Sequence, residues 1–150
     1  MRKALVIVTA VSLVAFALQF VFAAVGAFTK PAGEGAYALH SVTGMVVIPV
    51  LTLLTVLFAV LAKAPGRLIG LAALPLGLVV LQGLIAMLAN ALTDAAGAST
   101  PFGLTIGGLH AVNGIVAVHV VVAVLRAARK LANPVPADAT LVTVREGEPA

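Results

Sequence analysis

The chain has 150 residues, of which 62% are hydrophobic and only 9% charged, with a formal net charge of +4 and a mean hydropathy of +1.20. A soluble domain carries about 25% charged residues, and a globule this small has too little interior to hide so much apolar surface. A water-soluble fold is therefore excluded and the bilayer is the solvent. The lack of cysteine removes disulfides and thiolate metal sites, and basic residues confined to segment ends are no nucleic-acid footprint.

A membrane helix needs roughly 20 apolar residues, and four runs qualify. They are residues 4–28, 37–62, 68–92 and 104–125, and no Asp, Glu, Lys or Arg interrupts any of them. Backbone groups in lipid must be satisfied internally, so each run is expected to be a helix, with Pro49 and Pro75 bending theirs. The first run also resembles a signal peptide, with a basic start and small residues at its end. Its apolar stretch is long for that role, and it carries half of an internal repeat, so it is read as span one. Arg2 and Lys3, then Lys63 and Arg67, then Arg126, Arg129 and Lys130 fall on one side. Lys30, Glu34 and Asp94 fall on the other. The positive-inside rule puts both termini in the cytoplasm and the protein in the cell membrane. Residues 1–130 form the transmembrane domain in this reading. Residues 131–150, polar and proline-containing, form a flexible cytoplasmic tail that buries too little to fold alone.

Two motifs recur. "LHSVTGMVV" starts at Leu39 and "LHAVNGIVA" at Leu109, in register at an offset of 70; "LQFVFA" starts at Leu18 and "LQGLIA" at Leu81, at an offset of 63. A longer second outer loop absorbs the difference. The chain reads as two copies of one hairpin: a helix with Gln, an outer loop, and a helix opening with His. This predicts an all-α membrane protein, a four-helix up-down-up-down bundle built from two repeated hairpins. Spans two and four are then diagonal, and His40 and His110 lie at matching depth near the outer face.

Adjacent helices pack about 8–10 Å apart, so the diagonal is about 13 Å. Two inward imidazoles do not touch across that distance, but one metal with bonds of roughly 2 Å nearly closes it. Gly44 and Gly114 each follow a histidine by four residues and share its helix face. They clear bulk beside each ring, as a broad flat ligand requires. Haem b with axial His40 and His110 supplies both the metal and the plate, and bundle cores are a usual place for such cofactors. Gln19 and Gln82 read either as glue between helices or as groups beneath the cofactor or touching a quinone. Thr43 and Asn113 bond a neighbouring helix or face the pocket, and Lys30 is a candidate partner for a haem carboxylate. His119 lies two and a half turns beyond His110, so it points away from the axis and is expected either to bond a backbone carbonyl or to reach the inner interface. No nucleophile triad, phosphate loop or zinc signature occurs.

With "LQ" on spans one and three and "LH…G" on spans two and four, residues 4–130 resemble one half of haem A synthase. They also resemble an uncharacterised family of small bacterial four-helix membrane proteins, in which an "H-x-x-N-G" motif recurs on helix four, matching His110 to Gly114. The resemblance implies haem ligation by His40 and His110. The chain departs from haem A synthase at the glutamate that precedes a ligating histidine by three residues, where it has Tyr37 and Gly107. It also lacks the loop cysteines and the second four-helix half. Those departures argue against oxygenation of a haem methyl group. Two imidazoles fill both axial positions, which favours electron transfer, haem carriage or sensing over catalysis at the iron. A membrane quinone and a membrane redox partner are the candidate partners. The competing readings are a non-haem bundle that stabilises or regulates a larger complex, and a quinone site without metal.

Overall fold

The computed structural model describes residues 1–31, 33 and 35–134; Glu34 and most of the proposed tail lie outside them. Four long helices account for nearly all of this length: α1 Arg2–Phe28, α2 Ala38–Leu61, α3 Gly66–Ala91 and α4 Pro101–Ala132. Among the described residues there is no strand, only one isolated bridge between Thr93 and Ser99. Each helix is long and apolar enough to cross a membrane, and the chain reads as a multi-pass membrane protein. Large apolar side chains face outward on every helix, among them Val14, Met45, Val80 and Val112. Water would penalise such a surface, whereas lipid does not. α4 runs past position 125 and carries Arg126, Arg129 and Lys130 in helix as far as Ala132.

α1 packs against α2 and α4, and α3 packs against the same two; α1 with α3, and α2 with α4, share no comparable face. Packing is solid at the end that holds the chain start and the α2–α3 turn. Leu5, Ala59, Ala72, Val124 and Ala128 are essentially inaccessible there. The small residues let helices approach closely, which is how membrane helices gain van der Waals contact. Thr9, Ser12, Thr52 and Thr55 are buried in the same half. Each hydroxyl donates to the carbonyl four residues earlier, at 2.7–2.9 Å, so none is left unpaired. A second cluster, with Ala15, Phe16, Ile48, Ala117 and Val121, closes the middle of the bundle.

The turns are built from local chemistry. α2 ends with Lys63 in the left-handed region at φ 53°. The Ala64 amide donates to the Ala59 carbonyl and the Lys63 amide to the Val60 carbonyl, which satisfies orphan carbonyls of the last turn. Between α3 and α4, Asp94 Oδ1 accepts from the amides of Ala96 and Ala98. Thr100 then accepts from the Gly103 amide, capping α4, and donates to the Leu92 carbonyl at 2.7 Å. One hydroxyl thus joins the end of α3 to the start of α4. In α2 the helix widens to a π-helical turn at Thr43–Val47, which ends two residues before Pro49. Proline cannot continue the regular bonding pattern, and a π turn is one of the recognised irregularities at which helices bend. Pro75 is buried inside α3.

The solid half gives a direct test. Ala59 is fully buried, so Ala59→Leu has to force the helices apart, at a cost of about 1–3 kcal/mol. Thermal unfolding in detergent is expected to show the loss. An unchanged midpoint would mean that Ala59 does not lie in a close-packed interface.

Candidate functional site

His40 sits in the first turn of α2 and His110 in the third turn of α4, and both side chains turn toward the bundle interior. The Nδ1 atom of His40 lies 3.1 Å from the backbone carbonyl oxygen of Gln19 on α1. The Nδ1 atom of His110 lies 3.2 Å from that of Gln82 on α3. A carbonyl oxygen only accepts, so each Nδ1 carries the proton and donates it. In the neutral ring this leaves Nε2 with its lone pair free, the arrangement found in metal-ligating histidines whose other nitrogen bonds a carbonyl. The two rings stand 6.0 Å apart between centroids, tilted by 45°. They belong to helices that share no packed face, so they meet across the bundle interior.

The glutamine side chains behave differently in the two halves. Gln82 Nε2 donates to the His110 carbonyl at 2.7 Å. Asn113, almost wholly buried, donates through Nδ2 to the Leu78 carbonyl at 2.9 Å and to Gln82 Oε1. Gln82, His110 and Asn113 thus clamp α3 to α4. On the other side, Gln19 Oε1 is buried with no hydrogen-bond partner. The position corresponding to Asn113 is Thr43 at the offset of 70, and it lies in the π-helical turn. Gln19 Nε2 lies where a Cβ on residue 44 would stand, so the space Gly44 leaves is occupied by the Gln19 amide. A Cβ on Gly114 would make only ordinary contact, 3.7 Å from Gln82 Nε2 and from Phe20 Cζ. The two glycines were read as room for one flat ligand. Gly44 makes room first for Gln19, and Gly114 borders open space.

That space is a cavity of about 860 Å³, within the range of ligand pockets. His40, His110, Gln19, Gln82, Gly44 and Gly114 all line it. Phe16 and Ile48, each at most 5% exposed, belong both to its wall and to the apolar cluster that closes the bundle below. Tyr37 lines the loop end; its ring is edge-on to His40 at 6.4 Å and 80°. Gly26 on α1 admits that ring, since a Cβ there would stand 2.5 Å from Tyr37 Cδ1. Residues whose importance sequence reasoning missed are those of the α3 wall, Gly83, Ala86 and Ala89. Their signal was small size at helical spacing on the face that carries Gln82.

His119 is exposed and donates from Nδ1 to the Ile115 carbonyl at 2.8 Å, the first of the two outcomes expected from its position. It does not line the cavity. Among the described residues no three His, Cys, Asp or Glu side chains gather as a metal cluster. The unpartnered Gln19 oxygen gives a second test. Thr43→Asn places an amide donor where Asn113 stands in the other half, and is expected to stabilise the protein by about 1 kcal/mol, seen as a raised unfolding midpoint in detergent. A lowered midpoint would mean that residue 43 does not face Gln19.

Residues 19–90 match a family described as a family of unknown function, DUF6220. The matched stretch contains Gln19, His40 and Gln82 and stops before α4. No curated protein and no solved structure matches the chain, so the likeness to haem A synthase rests on the short motifs alone.

Proposed function

We propose that this protein binds one haem b between His40 and His110 and serves in electron transfer or haem carriage at the membrane. The observation that carries the reading is the ring separation. With a metal–nitrogen bond of about 2 Å and about 1.1 Å from nitrogen to ring centre, two imidazoles that shared one metal would have ring centres at most about 6.2 Å apart. His40 and His110 stand at 6.0 Å. Two further features support it: both Nδ1 protons are committed to carbonyls, and the rings border a cavity of ligand size. A haem held by His40 and His110 would supply one-electron redox chemistry at this site. The chain's own part is to fix both rings through Gln19 and Gln82, and to seal the site from below with Phe16 and Ile48. Nearby Gln82 and Asn113 hold α4 against α3. A membrane quinone is the lipid-soluble partner this reading favours.

The contact pattern and the matching His–Gln bonds support the finer architecture: an up-down-up-down bundle made of two like hairpins. Seven bases flank the solid end, which supports cytoplasmic termini and a cell-membrane location. Reporter fusions at Ala150 and in the loop 93–103 are expected to report inside and outside respectively; the reverse would overturn the orientation.

The competing reading, a non-haem bundle in a larger complex, draws on the Gln82–His110–Asn113 clamp, which is a packing device as it stands. It gives no reason for a cavity of ligand size beside the two rings. Purified protein is expected to carry about one low-spin haem per chain. His40→Ala and His110→Ala should each turn the spectrum high-spin or empty the site, His119→Ala should not, and Gly114→Leu should lower haem content. Protein that stays colourless after haem addition would remove the proposal and leave the non-haem bundle.

A further inference from the structure

The two histidines are not equally covered at the loop end. Position 37 stands three residues before His40, and position 107 three before His110, so each lies one turn nearer the loops on its histidine's face. Position 37 is tyrosine, pinned against Gly26 and edge-on to His40. Position 107 is glycine. Glycines in membrane helices usually let a neighbouring helix come close, but these do not. A Cβ on Gly107 would meet only the Ala89 Cβ, at 3.9 Å, and a Cβ on Gly83 would meet nothing within 4 Å. Glycine in a helix costs about 1 kcal/mol relative to alanine, and packing does not account for that cost here. Gly83, Ala86, Ala89, Asn90 and Gly107 all line the cavity. They carry it to the loop ends of α3 and α4, where the Asn90 side chain is exposed.

We propose that the ligand enters and leaves this cavity at the loop end of the bundle, along the inner face of α4 past Gly107, while Tyr37 narrows the corresponding route past His40. This rests on the cavity being a haem site and adds which side is its port. The site is then loaded at the loop end, and His110 is the first imidazole that an arriving ligand meets.

The test measures rates as well as occupancy. Haemin is added to detergent-solubilised apoprotein and followed by absorbance; release is followed with an excess of a haem-binding scavenger protein. Gly107→Phe rebuilds on α4 the cover that Tyr37 provides on α2. It should slow uptake and release by about tenfold, as closing a gate does, and end at the same low-spin spectrum. Tyr37→Gly should open the second route and speed both. Unchanged rates in Gly107→Phe would overturn the port. So would loss of equilibrium binding in both Gly107→Phe and Gly107→Val, because residue 107 would then belong to the seat itself. If wild-type protein takes up no haemin, the haem reading fails separately, and the same rates are read with metal-free protoporphyrin by its fluorescence. Wild-type protein that takes up neither would overturn the port as well.

Discussion

A ring proton given to a backbone carbonyl is the contact on which this site depends. In a hydrocarbon environment an unpaired polar group is costly, and a neighbouring helix is the only nearby source of partners. His40 and His110 each resolve this by donating Nδ1–H across to the preceding long helix, at the main-chain oxygen of a glutamine. That single bond has three consequences. It joins two helices, it holds the imidazole plane, and it fixes the tautomer that leaves Nε2 as a lone-pair donor. An imidazole held in this way has lost most of its rotational freedom before any ligand arrives, so little ordering remains to oppose binding.

The bundle divides its length between two tasks. Toward the chain start it is filled by Leu5, Ala59, Ala72, Val124 and Ala128, with hydroxyls turned back onto their own helices. Toward the loops it is hollow, and the same four helices spread their side chains around the cavity. Phe16 and Ile48 mark the boundary. A hollow half is stable only because the solid half and the loop ties, such as Thr100 to Leu92, keep the helices in place. The clamp of Gln82, His110 and Asn113 adds stiffness on one side, and the π-helical turn at Thr43–Val47 makes the other side different. The asymmetry is chemical as well: Gln82 Oε1 has a donor and Gln19 Oε1 has none.

Much of this was legible in the sequence. Four uninterrupted apolar runs define four helices, because lipid leaves the backbone no alternative. The recurrence of His with Gly four residues on, at an offset of 70, singled out the two rings that meet. The position of His119 relative to His110 placed it away from them. Other features were not legible for physical reasons. A backbone carbonyl has no side-chain signature, so the role of Gln19 and Gln82 as main-chain acceptors was invisible, and only their amides drew attention. The gap at Gly44 belongs to Gln19 because of how α1 and α2 approach, which no spacing rule encodes. The helical extension to Ala132 was hidden because Arg126, Arg129 and Lys130 read as a boundary of the apolar run, whereas a helix continues beyond the hydrocarbon at little cost. The Gly83, Ala86 and Ala89 wall was not legible because small residues at helical spacing mark close helix packing as readily as the edge of a cavity.

The most direct measurement of the central claim is electron paramagnetic resonance on the oxidised, haem-loaded protein, prepared with unlabelled and with nitrogen-15 histidine. The account predicts a low-spin ferric signal whose strongly coupled axial nitrogens change with the histidine label, two per iron, as the proposed ligation by both His40 and His110 requires. A high-spin ferric signal would contradict it, as would axial couplings that do not respond to the label.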